Sequence, residues 1–304
     1  MGIFDSFDKN ESSSQFEPRH SLSSRYRWID SLAGGRYRFV EPLSLNACVA
    51  RDADGRLVVI KNASIPGPDG CPTYDNPLTE VKIHSAISHP NIIKLVRWHE
   101  EEQHWRFIVT EWVNGDSLAR RFFLRPGEQK EVLPLLIQIT SAVAYLHDSD
   151  IIHRDLTPQN VIVSGDKAYV IDFGAADYFS PNKPPRIFAM TVMIGPAEVY
   201  HPDWIRPPDE LCFPSSDVFH LAMLGVFMLT GCFLKSHGSL YTLRFDKMEM
   251  ELEVNQALDC LQAANPSVSS GLVDVLRKAS SIDHNMRYET AGDMLVALKT
   301  IPGG

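Results

Sequence analysis

Two hydrophobic periods divide the chain. From Tyr37 to Ala63, and again near Ile92 to Trp98 and Trp105 to Thr110, apolar residues come in short strand-length runs bounded by turn formers. Asp54-Gly55 separates Ala47-Cys48-Val49-Ala50 from Leu57-Val58-Val59-Ile60, a hairpin signature. The polar run Glu100-Glu101-Glu102-Gln103 predicts the turn between the later pair. Beyond Ser117 the period lengthens. Val132, Leu136, Ile139, Val143 and Leu146 recur at alternating steps of four and three, which is one face of a long helix. Val218 to Leu234 is apolar nearly all round. At about 17 residues, interrupted by His220 and Gly231, it falls short of the ~20 a membrane span needs and predicts a buried core helix. Further helices are predicted near Leu272 to Ala279 and Thr290 to Leu298, with a short one from Pro77 to about Ile87 that Asn76 would cap. Strands first and helices second predict an α+β fold. Residues 1–25, rich in Ser, Asp, Glu and Asn, read as a disordered tail, and Tyr26 to Phe39 as a lead-in packed on the first lobe.

The densest chemistry sits between the two regimes, from Ile151 to Gly174. Asp155 and Asn160 lie five residues apart, and Asp172 follows. Between them two apolar runs, Val161 to Val163 and Ala168 to Ile171, flank a Ser164-Gly165-Asp166 turn signal. Such a hairpin returns both ends to one edge, so the three polar side chains are expected to converge. One carboxylate and one amide oxygen suit Mg²⁺ on a nucleotide, and a second carboxylate can accept a hydroxyl proton.

His153-Arg154-Asp155-Leu156-Thr157-Pro158-Gln159-Asn160 followed by Asp172-Phe173-Gly174 resembles the catalytic and metal loops of the eukaryotic-type protein kinase superfamily. The resemblance extends over about residues 37–300. It implies a bilobal fold with a small β-rich N-lobe (about 37–110), a hinge (111–116) and a larger α-helical C-lobe (117–300), within a domain over 26–300. It implies ATP and Mg²⁺ as cofactors and a protein substrate. Asp155 would be the catalytic acceptor, with Asn160 and Asp172 as metal residues. Lys61, in Val58-Val59-Ile60-Lys61, resembles the strand lysine on the phosphates, and Glu80, nine residues before His89, its helix partner. Glu111 to Val113 would meet the adenine edge through their backbone, Thr110 would be the gatekeeper, and Asp116 would reach the ribose or cap the helix from Ser117 to Phe123. Asp217 would tie down the catalytic loop. Glu198 and Arg287 match a buried ion pair, and Thr191, seven residues before Glu198, matches the threonine beside the catalytic aspartate of serine/threonine enzymes.

Two departures qualify these expectations. Glu41-Pro42-Leu43-Ser44-Leu45-Asn46-Ala47 stands where the family has a glycine-rich loop, and it has no glycine. Backbone N–H groups should then approach phosphates poorly. Thr157 stands where serine/threonine kinases carry a lysine. The residues are consistent with an active serine/threonine kinase or a pseudokinase that binds nucleotide weakly and acts as a binding module. A small-molecule phosphotransferase ranks last, because the Glu198–Arg287 pair and an activation segment (Ala175 to Met190, hydroxyls at Tyr178 and Ser180) are foreign to that class. Arg154 could pair with a phosphate on that segment.

Composition narrows the partners. Of 304 residues 44% are hydrophobic and 22% charged, ordinary for a globular protein, and the net charge of −9 argues against nucleic acid. Cys48, Cys71, Cys212, Cys232 and Cys260 are scattered and odd in number, which suits a reducing, cytoplasmic compartment rather than a disulfide framework. No apolar leader or transmembrane segment is read. Met1-Gly2-Ile3-Phe4-Asp5-Ser6 fits a loose N-myristoylation pattern, but no polybasic patch follows, and one acyl chain anchors weakly.

Overall fold

The computed structural model describes residues 29–30, 32–44, 46–62, 77–101, 105–180, 213–232 and 247–302. They fall into two compact units, one drawn from 1–65 and 96–112, the other from 66–95 and 113–304.

The first unit is a five-stranded sheet of β1 (Arg38–Pro42), β2 (Ala47–Arg51), β3 (Leu57–Asn62), β4 (Leu95–Glu101) and β5 (Trp105–Glu111), in the order β1-β2-β3-β5-β4. The β2–β3 hairpin forms as its Asp54-Gly55 turn predicts, with Gly55 at φ +79°. Alternation sorts the faces: Cys48 and Ala50 of β2, Val58 and Ile60 of β3, and Phe107 and Val109 of β5 make one core. Ile29, Leu32 and Tyr37 join that core and are almost fully buried, so the expected lead-in does pack on the sheet. Asp30 Oδ1 accepts the Phe39 N–H at 3.0 Å. The Tyr37 hydroxyl is 2.8 Å from His99 Nε2, joining the start of β1 to the opposite edge strand, β4.

The second unit carries α1 (Pro77–Ala86), α2 (Leu118–Phe122), α3 (Gln129–His147), α4 (Pro214–Thr230), α5 (Lys247–Ala264), α6 (Ser270–Ala279) and α7 (Ala291–Lys299). Its short strands are β6 (Asp116–Ser117), β7 (Ile151–Ile152), β8 (Val161–Ser164), β9 (Lys167–Val170) and β10 (Asp177–Tyr178). The predicted apolar face of α3 is fully buried at Val132, Leu136, Ile139, Val143 and Leu146. It packs with α4, the core helix, which Pro214 opens and Gly231 ends in the left-handed region at φ +69°. Helix α5 was not anticipated, although Val254, Leu258 and Leu261 mark its buried face. Ile92 and Ile93 do not begin a strand as expected. They pair with Val170 of β9, and β4 starts at Leu95. Among the described residues no helix is long and apolar enough to cross a membrane.

Candidate active site

The hairpin of β8 and β9 is the frame. Buried Val161, Val163, Ala168 and Val170 alternate with more exposed neighbours, and Gly165 turns the chain at φ +62°. Val161 pairs with Val170, and the Ile171 N–H donates to the Asn160 carbonyl at 2.9 Å. Asn160 and Asp172 therefore leave the hairpin at the same end.

Two polar side chains clamp this frame. Gln138 of α3 accepts the Ala168 N–H at 3.0 Å and donates to the Asp166 carbonyl at 2.8 Å. Asn91 donates to Gln138 Oε1 at 2.9 Å and to the Ala168 carbonyl at 2.8 Å. Backbone bonds from Val170 N–H to the Asn91 carbonyl and from Ile93 N–H to the Val170 carbonyl complete the attachment. The connection after α1 is thus fastened to the strand that leads into Asp172.

The loop from His153 to Asn160 hangs from Asp217 at the head of α4. That carboxylate is fully buried and accepts the N–H groups of His153 at 2.8 Å and Arg154 at 2.9 Å. It also faces His147 Nε2 at 3.1 Å. His147 Nδ1 accepts the Ala291 N–H at 3.0 Å, which places the imidazole proton on Nε2, as a donor to Asp217. Burial alone would push the Asp217 carboxyl up. The hydrogen bond from His147 and the neighbouring His220 outweigh it and hold the carboxyl far below the usual carboxylate range. Arg154 sits at φ +68°, a conformation costly for a residue with a side chain, and its Asp217 bond holds it there.

Within the loop, Asn160 Nδ2 donates to the Asp155 carbonyl at 2.9 Å and to Asp155 Oδ2 at 2.8 Å. Both amide protons are directed at Asp155, so Asn160 turns its oxygen away as an acceptor. Asp155 is half-buried and Thr157 buried. Asp172 is in the left-handed region at φ +64°, with Oδ1 accepting the Gly174 N–H at 3.1 Å.

Phe173 is fully buried between two histidines. Its ring lies 5.3 Å from that of His153 and 4.9 Å from that of His84 on α1. His84 Nε2 donates to the Ile93 carbonyl at 2.7 Å. Burial lowers the His153 pKa below its ordinary value against the pull of Asp217, Asp155 and Asp172, so the ring is neutral at pH 7. Glu80, one helical turn before His84, is buried on α1.

Arg154 is held by the stretch of chain that follows Gly174. Its Nε donates to the Ala175 carbonyl, and Nη2 is 3.6 Å from Asp177 Oδ2 on β10. Tyr178 and Ser180 are exposed. Arg287 is buried and donates to the carbonyls of Ser281 at 2.6 Å, Ser215 at 3.1 Å and Ile282 at 3.3 Å. Thr191, Glu198, the Asn76 cap, the 1–25 tail and most of the activation segment lie outside the described residues.

Lys61 is the penultimate residue of β3 and Glu111 ends β5 in the first unit, whereas Glu80, Val113, Asp116, Asp155, Asn160 and Asp172 belong to the second. Thr110 pairs with Val59 across β3 and β5. Asp116 is not the helix cap. Ser117 is, its Oγ accepting the Arg120 N–H at 3.2 Å, while Asp116 pairs with Val163 in β6 and its carboxylate is 3.3 Å from Arg120 Nε. A cap must precede the first helical residue directly, and pairing with β8 holds Asp116 one position too early.

The fold and this loop architecture define a protein kinase domain. A family model for that domain matches residues 46–296, and the chain belongs to the family. Serine/threonine-protein kinase PrkC of Bacillus subtilis is 31% identical over 230 residues, covering 73% of this chain and 33% of that protein. Serine/threonine-protein kinase pkn2 of Myxococcus xanthus is 29% identical over 235 residues, 72% of this chain and 26% of that protein. Sperm motility kinase 2B of Mus musculus is 29% identical over 210 residues, 66% and 42% respectively. The chain thus spans between about a quarter and two-fifths of these relatives' lengths.

The donor set fits the cofactor the family uses. Asn160 and Asp172 offer hard oxygen donors, which suit Mg²⁺ when substrate phosphates and water complete its octahedron. His84, Gln138 and Asn91 were not singled out from sequence. Asn91 and Gln138 are 47 residues apart, so no local signal links them.

Proposed function

We propose that the chain is an ATP-dependent protein kinase that transfers the γ-phosphate to serine or threonine hydroxyls of protein substrates. The observation that carries this is the Asp155–Asn160 bond of 2.8 Å, inside a loop suspended from a buried Asp217. Asp155 accepts the proton of the attacking hydroxyl. Asn160 orients Asp155 and, with Asp172, would hold Mg²⁺, whose charge eases phosphoryl transfer. Lys61, positioned by Glu80, would hold the nucleotide phosphates, with the backbone of Glu111 and Val113 on the base and Asp116 on the ribose. The serine/threonine preference draws on the relatives' names and on the sequence register of Thr191.

The test is transfer from Mg·ATP to a generic protein substrate by wild type and Asp155→Ala, with phosphosites read by mass spectrometry. Loss of the general base is expected to lower the rate by at least about 100-fold. Equal transfer by both proteins would remove Asp155 from the chemistry. A second reading, a binding module without transfer, is favoured by one observation: the β1–β2 turn spends its own N–H groups. Nucleotide binding without transfer by the wild type would select it.

A further inference from the structure

The turn between β1 and β2 is closed on itself. Pro42 has no N–H to offer. The Leu43 and Ser44 N–H groups donate to the Ala47 carbonyl at 2.8 and 3.0 Å. The N–H groups of Asn46 and Ala47 both donate to Ser44 Oγ, at 3.2 and 3.1 Å. The Asn46 carbonyl accepts the Asn62 N–H at 2.8 Å, stitching the turn to β3 beside Lys61. Among the described residues of the turn, every backbone donor from Leu43 to Ala47 is engaged by an acceptor of the turn itself. Leu43, Ser44 and Asn46 are nonetheless exposed, so solvent exposure alone does not release these donors.

We infer that Ser44 makes this turn indifferent to phosphate, so that the turn adds little to the hold on the β- and γ-phosphates and leaves them to Lys61 and the residues that would hold Mg²⁺. The inference rests on the proposed kinase reading. An anion is held by N–H groups that converge on it, and a single side-chain oxygen has drawn two of these inward. Glu41, exposed at the mouth of the turn, adds negative charge rather than compensating for it. Removing the hydroxyl frees the Asn46 and Ala47 donors, and a glycine at 44 also removes the Cβ between the turn and an approaching phosphate.

Titration calorimetry with adenosine, ADP and Mg·ATP on wild type, Ser44→Gly and Ser44→Thr tests this. Wild type is expected to gain from the phosphates only what Lys61 and Mg²⁺ supply, because each hydrogen bond the turn does not make to a charged group forgoes about a tenfold gain or more. Ser44→Gly should strengthen Mg·ATP by about tenfold and leave adenosine unchanged. Ser44→Thr, which keeps the hydroxyl, should behave as wild type. Amide exchange at Asn46 and Ala47 should accelerate in Ser44→Gly alone, and thermal unfolding verifies that the variants fold. A Ser44→Thr protein that gains as much Mg·ATP affinity as Ser44→Gly overturns the inference. So does a Ser44→Gly protein with an unchanged ratio. Adenosine binding with an unchanged ratio refutes Ser44 alone. Failure of every protein to bind any of the three refutes the nucleotide reading and this inference with it.

Discussion

Asp217→Asn isolates the charge that holds the catalytic loop. The substitution keeps the shape of the side chain but leaves one acceptor where there were two. In the wild type one oxygen serves Arg154 and the other serves both His153 and His147. Whichever way the amide turns, its NH₂ confronts a buried donor. One charge-assisted bond, worth about 1.5–3 kcal/mol, is lost, and one N–H is left unsatisfied at about 1–3 kcal/mol. The expected loss is therefore about 2.5–6 kcal/mol, a large share of the ~5–15 kcal/mol typical of a domain. The effect is also pH-dependent. The folded Asp217 carboxyl is depressed, so its stabilisation is fully present above the unfolded value of about 3.9 and is lost as pH falls through the folded value. The gap between wild type and variant should thus be widest near neutrality and narrow in strong acid. Urea unfolding from pH 7 downward, with amide exchange at His153 and Arg154, reads both effects. A variant within about 0.5 kcal/mol of wild type, with those two amides equally protected, would show that the carboxylate does not suspend the loop.

Lys61→Met should abolish most phosphoryl transfer while shifting the unfolding temperature little, because the lysine head contributes charge rather than packing; equal turnover would exclude Lys61 from the phosphates. Arg287→Ala should cost at least about 1–3 kcal/mol, since it removes a buried guanidinium serving three carbonyls and leaves buried acceptors unsatisfied, and unaltered urea unfolding would show those contacts to be dispensable. Gly115→Ala should destabilise the β6–β8 pairing by at least about 1–3 kcal/mol, because an added Cβ falls 2.3 Å from the Val163 carbonyl oxygen; a variant of wild-type stability would mean that the strands separate freely. The neutral, buried His153 has a lowered pKa, so stability should decline as pH falls below the unfolded value of about 6.5, and His153→Gln should flatten that limb of the profile.

What could be read from sequence was local. The β8–β9 hairpin, the convergence of Asn160 with Asp155 and the buried face of α3 each follow from spacing within a few turns of chain. What escaped depends on pairs far apart. Ile92 and Ile93 look like the start of a strand because apolar β-branched residues carry that signal whichever partner they find, and here the partner is β9. Asp116 and Ser117 are both good caps, and only the pairing with Val163 decides between them. The absence of glycine before Ala47 was plain, but that one hydroxyl would absorb two of the freed N–H groups was not, because it depends on the turn's backbone path.

The segment around Ile29, Leu32 and Tyr37 changes where the domain must be cut. The family match begins at residue 46, inside the β1–β2 connection, whereas the core of the first unit reaches back to Ile29. An expression clone trimmed to the match would discard β1 and uncover an apolar sheet face of Cys48, Ala50, Val58, Ile60, Phe107 and Val109. It would also lose the Tyr37–His99 bridge. A greasy face and a newly unpaired strand edge are what draw sheets into aggregates. The unit that homology recognises is smaller than the unit that folds.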